Sequence, residues 1–223
     1  MQSKNPPTTR PTDAHATRAP GHAQRSETMR RKICTAVVAS LDEHGYSATS
    51  ISRVQAIAGV SRGAMTHQFP SKEDMMVATL EQLLAPVRGR GRGQRERLWP
   101  KAGEGAQDLE QELVRIWTRV VDTREGRALV EILVAARTDL ALQEKTAASL
   151  HAYQHDVTNN IVGLSALSQV DADELATLWT ICRAFLRGLH LQRRFDGDAK
   201  ALQKVIERFA RIMAPHLQAH EPV

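Results

Sequence analysis

Apolar residues recur at helical spacing along most of the chain, and no stretch of the sequence shows strand-like alternation of useful length. A first amphipathic helix is predicted to begin near Glu27 and to end before Gly45. Its apolar stripe repeats every four residues and comprises Met29, Ile33, Val37 and Leu41. Because helical patterns also fill the second half of the chain, an all-α fold is predicted.

Five helices are predicted in the second half of the chain. The fifth, sixth, seventh and ninth helices are marked by apolar residues within the ranges 109–120, 129–134, 150–164 and 202–212. The eighth begins at Asp171 or Asp173, either of which could cap it, and ends near Phe195. A series of helices without strands is expected to form a bundle around a shared core.

The stretch from Thr49 to Lys72, TSISRVQAIAGVSRGAMTHQFPSK, is organised differently. Two short helical segments, Thr49–Ala58 and Val60–His67, are predicted to meet in a tight turn at Gly59. Such a pair forms a helix-turn-helix, whose second helix can enter the major groove of DNA. Apolar residues at helical spacing would form its small core, namely Ile51, Val54, Ala58, Val60 and Met65.

Local signals indicate where these segments begin and end. Thr49 is predicted to cap the second helix, because its hydroxyl can accept a hydrogen bond from a free backbone N–H. Pro70 ends the third helix, and Phe69 is expected to fill the core behind it. Ser71 and Asp74 stand at the spacing of a capping box that opens a fourth helix.

This stretch resembles the DNA-binding domain of the TetR family of bacterial transcription regulators. The residues that carry the resemblance stand at fixed spacing and are Thr49, Ile51, Val54, Ala58-Gly59-Val60-Ser61, Gly63, Phe69 and Ser71-Lys72-Glu73. The resemblance implies an N-terminal three-helix domain with the helix-turn-helix and a C-terminal helical bundle. Three residues depart from the family pattern, Gln55, Thr66 and Gln68, and these departures bear on the phosphate contacts and the operator sequence.

The polar face of the helix-turn-helix supplies the candidate DNA contacts. Arg62 is the candidate for a base contact, because a guanidinium can bind guanine through two hydrogen bonds. The small side chains of Gly63 and Ala64 would allow close approach to the groove, and the resemblance assigns phosphate contacts to Thr49 and Lys72. The full candidate set is Thr49, Ser50, Ser61, Arg62, Gly63, Ala64, Thr66, His67 and Lys72.

The charge distribution supports a division between a nucleic-acid-binding part and a neutral part. The net charge of +5 combines +7 over residues 1–100 with −2 over residues 101–223, and a basic excess favours a polyanionic partner. Four regions are predicted: a disordered basic tail (1–26), the helix-turn-helix domain (27–85), a flexible Arg/Gly-rich linker (86–106) and a ligand-binding and dimerisation domain (107–223). The tail and the linker could also touch nucleic acid, although a passive tail and a mobile loop are the simpler interpretations.

The resemblance implies two roles for the C-terminal body. The last two long helices are expected to form a four-helix interface with a second copy, and the candidate interface residues are Leu178, Cys182, Leu186, Leu189, Phe209 and Ile212. The same residues could instead fill the core of one chain. A small-molecule effector would bind among the middle helices, where the candidate residues are Trp117, Tyr153, His155, Asn159 and Trp179.

No cofactor or metal site is predicted. His151 and His155 stand four residues apart on one helix face, but no third metal ligand lies near them in sequence. Cys34 and Cys182 are far apart and fit buried thiols of a cytoplasmic protein better than a disulfide. No apolar run approaches the ~20 residues of a membrane helix, so no membrane association is expected.

Three functions fit part of this pattern. The first is a cytoplasmic, homodimeric, ligand-responsive repressor that binds a palindromic DNA operator, with a transcriptional activator of the same family as the alternative. The second is an enzyme, but the body contains no Gly-rich phosphate loop, nucleophile elbow or dense metal-ligand cluster in its sequence. The third is a sequence-indifferent nucleic-acid-binding protein. The ordered helix-turn-helix favours the first.

Overall fold

The computed structural model describes residues 21–85, 106–168, 171–196 and 198–217. The predicted tail at residues 1–20 and almost all of the predicted linker, at 86–105, lie outside these ranges. Every regular element within them is helical, which confirms the predicted all-α fold. The helices are α1 (His22–Ala48), α2 (Ile51–Ala58), α3 (Arg62–Gln68), α4 (Lys72–Leu84), α5 (Ala106–Ile116), α6 (Arg124–Ala136), α7 (Leu140–Ser168), α8 (Ala172–Asp196) and α9 (Ala199–Met213).

Helices α1 to α4 form an N-terminal head. α1 begins at His22, so the segment 22–26 that was predicted as tail is helical. Its helical dihedrals are interrupted at Gly45, where φ is +74°, close to the predicted end of the helix. Of the predicted stripe, Ile33, Val37 and Leu41 are fully buried against the neighbouring helices, and Met29 is partly buried.

The helix-turn-helix is present at the predicted place. α2 ends at Gly59, whose left-handed conformation (φ 59°, ψ 45°) turns the chain into α3. Val54 and Met65 are fully buried between the two helices and α1, and Phe69 fills the core behind α3 with 2% of its surface exposed. Both helices are shorter than predicted, because each is capped by a serine that stands just inside the predicted segment.

The remaining helices form the C-terminal body. α5 continues into a π-helical turn, Trp117–Val121, and the predicted break follows, where Thr123 caps α6 by accepting a 3.0 Å hydrogen bond from the backbone N–H of Gly126. A Cβ at Gly126 would stand 2.2 Å from the backbone oxygen of Val121, so only glycine fits between α6 and the π-helical turn. A 3-10 turn, Ala214–Leu217, follows α9.

Head and body share one continuous hydrophobic core. α1 packs against α6, and α4 packs against both α6 and α7. α4 therefore begins beside the helix-turn-helix and ends, at Leu84, among residues of the body. Any change in the packing around its C-terminal end can alter the position of the head.

Candidate nucleic-acid interface and body cavity

α3 presents a polar face to solvent. The exposed residues of this face are Ser61, Arg62, Gly63, Thr66 and His67. Met65, on the opposite side, is fully buried and fixes which face of α3 points outward. Ser61 fixes the start of the helix, because its Oγ accepts a 3.2 Å hydrogen bond from the backbone N–H of Ala64. The outward face is polar and is built largely from small side chains.

Arg53 and Arg62 are the exposed cations of this surface. Residues 50–68 include no acidic residue, and no carboxylate in the described ranges lies within 4 Å of either guanidinium. Both are therefore available for phosphate oxygens or base edges. Arg53 was not among the predicted contacts, although an arginine without acidic neighbours inside a helix-turn-helix could have indicated it.

Thr49 does not cap α2, contrary to the prediction. Its side chain is fully buried, and its hydroxyl donates a 2.8 Å hydrogen bond to the backbone oxygen of Gly45 and lies 2.9 Å from the Ser40 hydroxyl. Ser50 caps α2 instead, since its Oγ accepts a 3.2 Å hydrogen bond from the backbone N–H of Arg53. The Thr49 hydroxyl is thus inaccessible to a phosphate, whereas the exposed Ser50 is accessible.

Lys72 is partly buried and held inside the head. Its Nζ donates a 2.8 Å hydrogen bond to the backbone oxygen of Tyr46 and stands 3.8 Å from the centre of the Tyr46 ring. Burial lowers the pKa of Lys72, and the nearby charges of Glu73 and Asp139 partly oppose that effect. The lysine that was predicted to reach a phosphate would have to leave these contacts first.

Ser71 ties the start of α4 to the body. Its Oγ accepts a 3.1 Å hydrogen bond from the backbone N–H of Asp74 and donates a 2.8 Å hydrogen bond to the Asp74 carboxylate, so the predicted helix cap is present. Lys145 of α7 binds the same carboxylate at 2.7 Å. The hydrogen bonds from Lys145 and Ser71 lower the pKa of Asp74.

Two further polar ties join α1 to the body. Arg127 of α6 donates two hydrogen bonds to Asp42, one of them 3.1 Å long, and the bond from Arg127 is the main cause of a lowered Asp42 pKa. The Tyr46 hydroxyl donates a 2.7 Å hydrogen bond to Asp139, just before α7. We refer to the three pairs Asp42–Arg127, Tyr46–Asp139 and Asp74–Lys145 as the head–body seam.

A cavity of about 100 Å³ lies between the end of α4 and the body helices. Its lining residues come from five helices and the π-helical turn: Leu83, Leu84, Ile116, Val120, Val121, Gly126, Leu129, Val130, Tyr153, Trp179, Arg183, Leu186 and Arg187. Two of the predicted ligand-binding residues, Tyr153 and Trp179, line this cavity. Its walls are otherwise apolar, apart from two arginines that the sequence interpretation missed.

The other predicted ligand-binding residues do not line the cavity. Trp117 is buried in the core nearby. His155 and Asn159 are exposed on α7, where their side chains bond to each other at 3.2 Å. His155 lies two residues beyond Tyr153, a rotation of about 200° on a helix, so the face that buries Tyr153 turns His155 outward.

Most of the predicted interface residues belong to the core of the single chain. Leu178, Cys182, Leu186 and Leu189 are buried, and Phe209 is partly buried and stacks on Phe185 at 3.8 Å. Ile212 alone of the predicted set is exposed, at 53%. The interface prediction therefore named the stripe of α8 that faces the core of its own chain, not the stripe that faces solvent.

A second stripe on α8 is apolar and faces solvent. It comprises Ile181, Ala184, Gly188, Leu191 and Phe195, at the alternating three- and four-residue spacing by which long helices pack against each other. On α9, which packs beside α8, Val205 and Ile212 are also exposed, at 44% and 53%. We call the exposed apolar residues of α8 and α9 the outer stripe.

Both cysteines are buried free thiols. Burial raises the pKa of Cys182 to about 11, so this thiol is protonated and unreactive at neutral pH. In the part of the chain that the structure describes, no group of three metal-ligating side chains comes together. No described helix is both long enough and apolar enough to cross a membrane.

Comparison with known proteins places this geometry among regulatory proteins. Residues 33–79, which include the helix-turn-helix, match the model of the family of bacterial regulatory proteins known as the tetR family. The chain is 28% identical over 186 residues to the HTH-type transcriptional regulator CymR of Pseudomonas putida, which covers 82% of this chain and 88% of CymR. It is also 33% identical over 58 residues to BetI 2 of Chromohalobacter salexigens, covering 26% and 28% of the two chains.

Solved structures extend the likeness in fold to the body. A transcriptional regulator from Rhodococcus sp. Rha1 superposes with a TM-score of 0.65 at 19% identity, over 86% of this chain and 99% of that one. The multidrug binding protein EbrR, solved with ethidium, superposes with a TM-score of 0.55 at 24% identity, over 87% and 99% of the two chains. The same protein has been solved with imidazole.

Proposed function

This chain belongs to the TetR family of bacterial transcriptional regulators. We propose that it acts in the cytoplasm as a homodimeric repressor that binds a DNA operator, and that a small molecule releases it from the operator. The observation that carries the proposal is the outward face of α3. It is polar, carries the unpaired cation Arg62, and is held at a fixed orientation by the buried Met65. Such a helix fits the major groove of DNA.

The outer stripe supports a dimer. Exposed apolar residues on two adjacent long helices would be buried if α8 and α9 of a second copy packed against them as a four-helix bundle. Gly188 lies within the stripe, and a Cβ added there would meet nothing within 4 Å, so a partner helix could approach closely. Two α3 helices related by a two-fold axis would read two half-sites ~34–36 Å apart, or a multiple of that distance.

The cavity supports an effector-controlled switch. Leu83 and Leu84 of α4 form part of its wall, and the other end of α4 is tied to α7 through Asp74 and Lys145. A ligand that enlarged the cavity would displace the end of α4 and strain the polar contacts of the head–body seam. The two recognition helices of a dimer would then lose their common spacing, and the population would shift away from the DNA-binding state. That EbrR, a multidrug binding protein of similar fold, has been solved with ethidium supports a small-molecule ligand for this chain.

An activator would share the geometry of a repressor, so only a measurement of transcription from the regulated promoter distinguishes the two. A repressor should lower transcription from a promoter that contains the selected operator, and the effector should restore it. An activator should raise transcription under the same conditions. We favour the repressor because the resemblance to the family implies it; the residues themselves do not distinguish the two.

The experiment that tests DNA binding is selection from random duplex DNA by the purified full chain at near-physiological salt. We expect an inverted repeat with a fixed half-site spacing, and a protein that runs as a dimer. A sequence-indifferent nucleic-acid-binding protein would instead enrich no motif, and its binding would vanish steeply as salt rises. That result would overturn the proposal.

A further inference from the structure

Two arginines of α8 face the body cavity, and neither has an acidic partner among the residues that the structure describes. Arg183 and Arg187 stand four residues apart on one face of the helix, and both line the cavity. Like charges at this spacing repel each other. Residues 175–195 include no Asp or Glu, so α8 offers no carboxylate within helical reach of either arginine. In the described ranges no carboxylate lies within 4 Å of Arg187.

The immediate surroundings of the two arginines differ. Arg183 donates a 3.2 Å hydrogen bond to the side-chain oxygen of Gln154, and its guanidinium lies 5.8 Å from the centre of the Tyr153 ring. Arg187 is more deeply placed; burial lowers its pKa, Tyr153 raises it and the positive charge of Arg183 lowers it again. In the described part of the chain the ion that acts on Arg187 is another guanidinium, which is a costly arrangement for a partly buried cation unless an anion compensates it.

The rest of the cavity is apolar. Ile116, Leu129, Val130 and Leu186 form walls around the side chains of Tyr153 and Trp179. The volume of about 100 Å³ restricts the occupant to a small molecule, since it is less than the volume of about 150 Å³ of a cavity that takes benzene. The site therefore combines one cationic end with an apolar chamber somewhat smaller than a single ring needs, so a one-ring ligand would enlarge it, as the proposed switch requires.

We propose that the cavity binds a small organic carboxylate, with an apolar body of about one ring in the chamber and its carboxylate held by Arg187 and Arg183. This inference rests on the proposed function, of which it specifies the effector class. A planar guanidinium matches a carboxylate through two parallel hydrogen bonds, and such charge-assisted bonds are stronger than neutral ones. A cationic ligand would be repelled by the two arginines, and a neutral one would leave their charges uncompensated.

Binding is tested without DNA, so that its outcome is separate from the test of the operator. The full chain is titrated calorimetrically with benzoate, phenylacetate and cyclohexanecarboxylate, and with the three corresponding amides, which have nearly the same shape but no charge. We expect at least one acid to bind about tenfold or more tightly than its amide, as the loss of charge-assisted hydrogen bonds implies. If no acid binds, or if the amides bind equally well, the inference is wrong.

Variants of the arginines locate the site. Arg187→Met should abolish the preference for acid over amide, and Arg187→Lys, which keeps the charge but loses the planar fork, should retain part of it. Arg119→Met, which removes an exposed arginine of the π-helical turn, is the matched control and should leave the preference unchanged. Circular dichroism checks that each variant is folded. An unchanged preference in folded Arg187→Met protein would overturn the assignment.

The two proposals can fail separately. If an inverted repeat is selected but no acid binds, the regulator stands and the effector class is wrong. If an acid binds through Arg187 but no DNA motif is selected, the cavity is an anion site and the proposed function fails. If both are found, adding the acid should weaken binding to the operator by tenfold or more, a typical size for coupling between two sites.

Discussion

The hydroxyl of Tyr46 donates a 2.7 Å hydrogen bond to the carboxylate of Asp139, and this bond joins the end of α1 in the head to the segment before α7 in the body. The backbone N–H of Tyr46 also donates a 3.1 Å hydrogen bond to Glu131 of α6. Tyr46 therefore lies where any movement of the head against the body must stretch or break a polar contact.

Replacing Tyr46 by Phe should lower the free energy of unfolding by about 0.5–1.5 kcal/mol at neutral pH, the usual net value of one hydrogen bond. The bond from Tyr46 is the main cause of the lowered Asp139 pKa. A carboxyl with a lowered pKa stabilises the fold fully above its unfolded pKa of about 3.9, and the contribution is lost as the pH falls through the folded pKa. The difference in the free energy of unfolding between wild type and Tyr46→Phe should therefore become smaller at acidic pH.

Urea unfolding of Tyr46→Phe, Asp139→Ala and the double variant, each at neutral and acidic pH, measures this coupling. Additive effects of the two single variants at neutral pH would show that the hydrogen bond contributes nothing to the seam. In a repressor that switches through the seam, Tyr46→Phe should also lower the amount of effector needed to release DNA.

Gly126 and Gly63 should respond oppositely to alanine. Gly126→Ala drives a Cβ against the backbone oxygens of Val120 and Val121, at 2.5 and 2.2 Å, so the backbone must move. We expect a loss of about 1–3 kcal/mol or more of stability, as for other overpacked sites. Gly63→Ala meets nothing within 4 Å, and alanine should stabilise the helix by up to about 0.5–1 kcal/mol.

Thermal unfolding and operator binding separate the two glycines. Gly126→Ala should lower the melting temperature, whereas Gly63→Ala should keep or raise it while weakening operator binding, because the added methyl group lies on the face that meets the groove. Unchanged operator affinity in Gly63→Ala would argue that α3 does not approach DNA closely at this position.

Leu191→Asp should break the proposed dimer. It places a charge in the middle of the outer stripe, where it would be buried against the partner helices at a cost of several kcal/mol. Leu140→Asp is the matched control, because Leu140 is an exposed leucine of α7, away from the outer stripe. Light scattering of both variants gives the mass. A dimer that survives Leu191→Asp, or is lost equally in Leu140→Asp, would contradict the assigned interface.

The sequence predicted the helix-turn-helix correctly because its signals are local. Gly59, Phe69 and the cap at Ser71 each act within a few residues of the chain. Thr49 was assigned wrongly because Thr49 and Ser50 are adjacent and equally able to cap a helix. The choice between them was made by Ser40, a buried partner on α1 that local chemistry cannot reveal.

The two faces of α8 show a second limit of prediction from the sequence. One apolar stripe passes through Leu178, Cys182 and Leu186, and the other through Ile181, Gly188 and Leu191, so the sequence indicates burial on both sides of the helix. Which stripe packs into its own chain depends on where α7 and α9 lie, and that is a property of the tertiary fold. Arg183 and Arg187, in contrast, could have been noticed because residues 175–195 include no acidic residue.

In the proposed repressor, sequence recognition depends most on Arg62, which reads a base from α3. The direct measurement compares the sequences selected from random duplex DNA by the wild type and by Arg62→Ala, with Arg119→Ala as a control arginine on the body. We predict that Arg62→Ala keeps the half-site spacing but loses preference at one symmetric pair of positions, with a cost of about 1–3 kcal/mol per contact. An unchanged motif in Arg62→Ala would contradict the claim that α3 reads DNA through this residue.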